Sequence, residues 1–202
     1  MTTVKEVNRC PWAGNDALYI RYHDNEWGVP MTDDRALFEK LVLEGFQAGL
    51  SWITILRKRE NFRAAFHNFD AERIARYTAR DVDRLMKNEG IIRNRAKIEA
   101  TISNARAYLA LSECMPFSQY IWSFLDGRPV INAITSTKDI QAETDISKRM
   151  SKALKNDGFR FVGSTTLYAF MQSTGMVNDH LLTCFRHGAC AKLQKKLKIP
   201  GL

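Results

Sequence analysis

The sequence predicts an all-α protein. Three observations carry that expectation: apolar residues recur at helical spacing, helix start and stop residues punctuate the chain, and strand-like runs are almost absent. From Asp33 to Leu50, residues Leu37, Phe38, Leu41, Val42 and Phe46 mark an apolar face, with Asp33 or Thr32 placed to cap its start. This segment is expected to be a core helix. Asp70 precedes AERIARY, Thr78 precedes ARDVDRLMKNE with Gly90 as its stop, and a long helical run extends from Asn94 to Leu111. Thr144 opens DISKRMSKALKND, which Gly158 closes, and VGSTTLYAFMQST then runs to Gly175. Asn178 or Asp179 is placed to start a last helix through Phe185. Only GRPVINAITST, around Pro129, reads as extended, and it is expected to be a surface loop or short ribbon.

No linker, repeat or low-complexity tract divides the 202 residues, so residues 1–202 are expected to form a single domain with room for two lobes. No stretch approaches the roughly 18 apolar residues of a membrane span, and the N-terminus carries no apolar signal segment. A soluble, cytoplasmic, monomeric protein with no membrane partner is expected. Thirty Lys and Arg against 22 Asp and Glu leave a net charge of +8, which makes a polyanionic partner a reasonable expectation but suits a solvated basic face equally well.

Cys10, Cys114, Cys184 and Cys190 are spread through a chain with no export signal, which points to a reduced compartment rather than a disulfide framework and leaves metal ligation as the alternative to test. His180 and Cys184 are four residues apart in HLLTC, which on a helix places an imidazole and a thiolate on one face. Such a pair also suits a half-buried contact with no metal. Cys10 and His23 offer a second Cys/His pair at the other end of the chain, and two Cys with two His complete a tetrahedral shell. One structural zinc ion joining the N- and C-terminal segments is therefore expected. His67, His187, Cys114 and Cys190 are read as ordinary residues.

Cys10, YHDNEWGVP at 22–30, LEGFQAGLSW at 43–52 and VNDHLLTC at 177–184 together resemble the 3-methyladenine DNA glycosylase I family, with GIIRNRAKI and SKALKNDGFRFVG in matching order between them. The resemblance covers nearly the whole chain. It implies a helix-hairpin-helix DNA glycosylase fold, a Cys/His/His/Cys zinc staple, and hydrolysis of the N-glycosidic bond of 3-methyladenine in alkylated double-stranded DNA. Such an enzyme must flip its target nucleotide out of the stack. By the same resemblance Tyr22, Trp27 and Trp52 wall the base pocket, where aromatic faces suit a cationic methylated base. Glu44 interrupts an apolar face, a costly place for a carboxylate unless something pairs with it, and by the resemblance it is the catalytic and substrate-binding residue that meets the polar edge of that base. Trp27 also suits plain core packing.

Gln47, Gly49 and Leu50 are expected to touch DNA, with Leu50 or Gln47 filling the gap left by the flipped nucleotide, although Leu50 suits a core position as well. GFRFVG at 158–163 resembles the hairpin of the motif, with Arg160, Gly163 and the following helix start holding a phosphate. Lys152 and Lys155 add basic charge beside it. Arg93, Arg95 and Lys97 extend the basic face or merely solvate a helix start. Related helix-hairpin-helix glycosylases place an Asp where Asn178 stands, and Asp179 is read as a helix cap, so monofunctional removal of labile cationic bases is expected. A non-catalytic, zinc-stapled DNA-binding module is the rival reading; it leaves Glu44 among apolar neighbours unexplained.

Overall fold

The computed structural model describes residues 7–202, and among them ten helices and one two-residue strand pair account for nearly all regular structure. Helix α1 (Ala17–Asn25) starts on Asp16, whose carboxylate accepts the amides of Leu18 and Tyr19. Helix α2 (Asp34–Gln47) starts on Asp33, which accepts the Ala36 amide at 2.8 Å. Then follow α3 (Trp52–Ala65), α4 (Ala71–Ala75), α5 (Ala79–Met86), α6 (Arg95–Ser112) and α7 (Phe117–Ser123). Asp70, Thr78 and Asn94 cap α4, α5 and α6, as the start signals predict. Strand β1 (Val130–Ile131) precedes α8 (Asp145–Asn156) and α9 (Ser164–Ser173), and β2 (Val177–Asn178) precedes α10 (Phe185–Lys195).

α2 is the axis of the molecule because it is apolar on nearly every side. Phe38, Val42 and Phe46 enter one hydrophobic cluster with α1, α3, α5 and α6, while Leu37 and Leu41 enter a second with α7, α8 and α9. A helix buried all round in this way cannot be moved without disturbing both clusters.

The helix expected through Leu50 stops at Gln47. Gly49 takes φ +80°, and the Lys97 ammonium caps the end of the helix by donating to the carbonyls of Phe46 at 2.8 Å and Ala48 at 2.6 Å. Leu50 therefore lies in an exposed loop, not in the core.

A second correction concerns the C-terminal segment. No helix runs from Asn178 to Phe185; instead Val177 and Asn178 pair in parallel with Val130 and Ile131, and the last helix begins at Phe185 with Cys184 as its cap. Sheet pairing with a distant segment outweighed the local start signal. The extended GRPVINAITST segment thus forms the short ribbon expected of it, but Ile134 within it is buried rather than superficial.

α8 and α9 are joined by the hairpin at 157–163, with Gly158 at φ +92° and Phe161 at φ +57°. The buried Asn104 of α6 pins this hairpin from below, accepting the Arg160 amide at 2.7 Å and donating to the Arg160 carbonyl at 3.0 Å. Gly175, just after α9, admits no side chain: a Cβ there would lie 2.4 Å from the Pro30 nitrogen. No helix among the described residues is long and apolar enough to cross a membrane.

Candidate active site and candidate metal centre

α1 serves two centres through adjacent residues. Tyr22 points to an aromatic cavity and His23 to a cluster of metal-binding side chains, both residues being buried.

The cavity, of about 210 Å³, is lined by Trp12, Tyr19, Tyr22, Trp27, Glu44, Gln47, Trp52, Ile140, Ala169 and Gln172. Larger clefts over Asp34 and Tyr108 (about 650 Å³) and over Asn132 and Thr144 (about 380 Å³) lack this convergence of aromatic faces on a buried carboxylate. The Tyr22 and Trp52 ring centroids are 5.4 Å apart, tilted by 41°. Trp12 stands 5.0 Å from both Tyr19 and Trp27. Glu44 is 3% exposed and accepts one hydrogen bond, from the Ser173 hydroxyl at 2.9 Å. Burial pushes its carboxyl up to about 7, against the opposing pull of Lys40 and of the Ser173 hydroxyl. The Trp52 indole N–H is buried and finds no acceptor among the described residues. Such a site combines apolar walls with a small number of unsatisfied polar groups, the pattern of a preformed ligand pocket.

A second recess of about 200 Å³ shares Glu44, Gln47 and Ala169 with the cavity and continues past Ala48, Gly49 and Leu50 to Thr165 and Thr166 on the first turn of α9. The exposed loop and the hairpin helix therefore flank the mouth of the cavity. Gly49 has open space around its α-carbon, Arg160 is exposed, and Gly163 occupies the cap position of α9 with no side chain over it. At that helix start the Ser164 hydroxyl donates to Glu143. Arg93 and Arg95 pair with Glu89 and Asp83, and Lys97 is spent on the end of α2, so these three do not form a free basic face.

The four residues expected to bind metal do meet. Cys10, His23, His180 and Cys184 are all buried, with their ligand atoms within 4.8 Å of one another, and can hold a metal ion. Cys10 Sγ is 3.5 Å from His180 Nδ1; Cys184 Sγ is 3.5 Å from His23 Nε2 and 3.6 Å from His180 Nδ1. The helical reason given for pairing His180 with Cys184 does not hold, since a turn rather than a helix brings them together. Each imidazole turns its other nitrogen to an oxygen: His23 Nδ1 to Asp24 at 2.8 Å, and His180 Nε2 to the Trp27 carbonyl at 3.0 Å. A neighbouring Cys10 thiol above all, then the two imidazoles, hold the Cys184 thiol far below its ordinary range against the cost of burial.

Asp179 caps no helix. It is buried, and its two oxygens accept from Asn132, Tyr168 and Gln172, each at 2.7 Å. Asn178 is also buried, donating to the His187 carbonyl and accepting the His180 amide. Sequence reasoning missed Trp12, Tyr19, Asn104 and Lys40. Lys40 was detectable, because it lies one helical turn before Glu44 on a face otherwise apolar.

The sequence matches the model of the Methyladenine glycosylase family over residues 12–187. It is 55% identical to the DNA-3-methyladenine glycosylase of Haemophilus influenzae over 88% of this chain and 97% of that one. It is 52% identical to DNA-3-methyladenine glycosylase 1 of Escherichia coli, over 88% and 96%. A solved structure of 3-methyladenine DNA glycosylase I from Staphylococcus aureus, which describes 3-methyladenine recognition by that protein, superposes with a TM-score of 0.86. It is 38% identical, over 89% of this chain and 96% of that chain.

Proposed function

The chain belongs to the methyladenine glycosylase family, and from that premise we propose that it excises 3-methyladenine from alkylated double-stranded DNA as the first step of base-excision repair. The observation that carries this reading is Glu44, an aromatic-walled carboxylate with a single internal hydrogen bond, at the end of a recess flanked by the hairpin helix. A DNA-binding module has no use for such a group.

DNA lies across the exposed loop and the hairpin. Arg160 and the amides following Gly163 hold phosphate, Gln47 and Gly49 approach the backbone, and Leu50 enters the stack in place of the flipped nucleotide. The base enters between Tyr22 and Trp52, with Trp27 behind, and Glu44 accepts hydrogen from its exocyclic edge while complementing its positive charge. The C1′–N bond then breaks with its electron pair passing to the base. Positive charge leaves the ring for the sugar, the base departs neutral, and water adds its oxygen to C1′ and releases a proton.

Asn178 carries no charge and Asp179 is fully engaged, so the sugar receives no help from a free carboxylate at these positions. The substrate's own lability must supply the difference. Labile cationic alkylpurines are accordingly the substrates, removed by a monofunctional hydrolysis without strand cleavage. Incubation with methylated DNA and chromatography of the released bases tests the reading: 3-methyladenine is expected, and release of hypoxanthine at a comparable rate would overturn the substrate range.

The ion suited to Cys10, His23, His180 and Cys184 is zinc. A tetrahedral zinc with Zn–S of about 2.3 Å and Zn–N of about 2.05 Å separates S and N ligands by about 3.6 Å, which is the spacing found here. Four protein ligands would leave no open position, so the ion would be structural. The Asp24 carboxylate and the Trp27 carbonyl orient the two imidazoles.

A further inference from the structure

Lys40 is a buried lysine in a place where nothing in the proposed reaction requires one. Its ammonium hydrogen bonds to the Tyr22 hydroxyl at 3.3 Å and lies 4.8 Å from the Tyr22 ring centroid and 4.6 Å from that of Trp52. It does not line the cavity, so it sits behind the two rings that do.

The surrounding charges are already spoken for. Just after α1, Glu26 pairs with Arg59 of α3; on α2, Glu39 pairs with Arg63 of α3 at 2.8 Å. Tyr19 and Tyr22 of α1 are held protonated by burial, and α9 contributes the neutral Ser173 and Gln172. Around the Tyr22 and Trp52 rings, among the described residues, this leaves the buried Glu44 carboxylate without an ion-pair partner within contact distance and the buried Lys40 ammonium likewise; the other such groups, Asp179 and Lys97, are held by three neutral donors and by two backbone carbonyls. Lys40 and Glu44 stand one turn apart on the same helix. Two uncompensated charges of opposite sign in one apolar region lower each other's desolvation cost even without direct contact.

We propose that Lys40 is the internal counter-ion of Glu44 and a positioning residue of the cavity. It holds the Tyr22 hydroxyl and keeps the empty pocket electrically balanced, with Glu44 a ready carboxylate before a cationic base arrives. Its engagement behind the rings also removes it as an amine nucleophile toward the sugar. The inference builds on the proposed reading of the cavity, but its central test does not depend on excision.

Lys40→Met preserves length and apolar bulk beside two aromatic rings. Carbon-13 labelling of glutamate, with Glu44→Gln to assign the resonance, follows the Glu44 carboxyl directly by NMR. In Lys40→Met its titration is expected to move up from about 7 by a unit or more, a tenfold gain in proton affinity. A folded Lys40→Met whose Glu44 titrates as in the wild type overturns the proposal. The reciprocal measurement uses the native lysine: labelled at Cε, Lys40 is expected to lose its proton at lower pH in Glu44→Gln than in the wild type. An unmoved Lys40 also overturns it, even if Lys40→Met fails to fold. The acid limb of excision against pH should follow the NMR titration upward in Lys40→Met. Movement of the titration without the limb upholds the counter-ion and removes Glu44 from the excision mechanism, which separates the two readings.

Discussion

The metal cluster and the aromatic cavity are built on neighbouring residues, His23 and Tyr22, and share Trp27, yet they treat buried charge in opposite ways. In the cluster every polar atom of the two imidazoles has a partner, and the thiols answer them from both ends of the chain. In the cavity Glu44 keeps one partner, the Trp52 N–H has none, and Lys40 balances the charge from behind an aromatic wall. Closure suits a site that holds the fold; incompleteness suits one awaiting a ligand, because unsatisfied groups at low dielectric gain most when a partner enters. The difference teaches which residues to perturb for stability and which for turnover.

The largest effect is expected at the closed centre. If the centre holds zinc as proposed, removing the ion, or replacing Cys184 with Ser, opens a loop that spans most of the chain, and by analogy with cross-links over long loops should cost about 4–5 kcal/mol of stability. Metal analysis and thermal denaturation read it. An active protein with well under one zinc per chain would break the comparison at its first term.

Glu44→Gln should separate stability from function. Excision is expected to fall on the order of 10²–10³-fold, with binding to undamaged duplex nearly unchanged. Because burial raises Glu44 from 4.5 to about 7, the folded chain holds a proton in that window that the unfolded chain has lost. This group therefore makes the protein less stable as pH rises from 4.5 through 7. Above pH 7 the Gln variant should be the more stable by about 3 kcal/mol, and below pH 4.5 the advantage should vanish. Equal denaturation curves at pH 8 would show that Glu44 is not a strained carboxylate.

Asp179→Asn sits between the two centres in kind. It puts an amide where three donors converge, which should cost about 1–3 kcal/mol of stability, while excision per folded molecule falls less than tenfold. Loss of all activity with folding intact would assign Asp179 to the reaction.

The smallest effect belongs to the mouth of the cavity. Leu50→Ala should leave stability within about 0.5 kcal/mol and lower excision from duplex DNA about tenfold, a barrier change of about 1.4 kcal/mol. A substrate with the lesion already unpaired should be nearly indifferent to it, and an equal loss on both substrates would remove Leu50 from base flipping.

Much of this was legible in the residues. The caps Asp33, Asp70, Thr78, Asn94 and Thr144 stand where the start signals put them, since capping is local chemistry. The four candidate metal ligands do meet in one buried group, but His180 and Cys184 not through helical spacing: pairing of β2 with a segment some 47 residues away overrode it. Helix α3 escaped notice because apolar and charged residues are spread round it with little sidedness, and its Ser51 makes no capping bond. Trp12 and Tyr19 became cavity walls only through the packing of α1, which no spacing in the chain encodes. Leu50 moved from a possible core position to the surface because Gly49 and a distant lysine end α2 early.

The sequence separation of the metal ligands has a consequence for how the protein is made. Cys10 and His180 are 170 residues apart, and at about 5–20 residues per second the N-terminal pair waits roughly 10–30 s for its C-terminal counterpart to be synthesised. During that time the first hydrophobic cluster, whose residues end at Leu109, has its whole complement of side chains available, while Cys10 and His23 have only each other. The four-ligand site is thus among the last parts of the structure that translation permits to close. With zinc as the proposed ion, a cell short of that metal would accumulate chains that are fully synthesised and substantially collapsed but not yet latched, and these would be the forms its proteases meet.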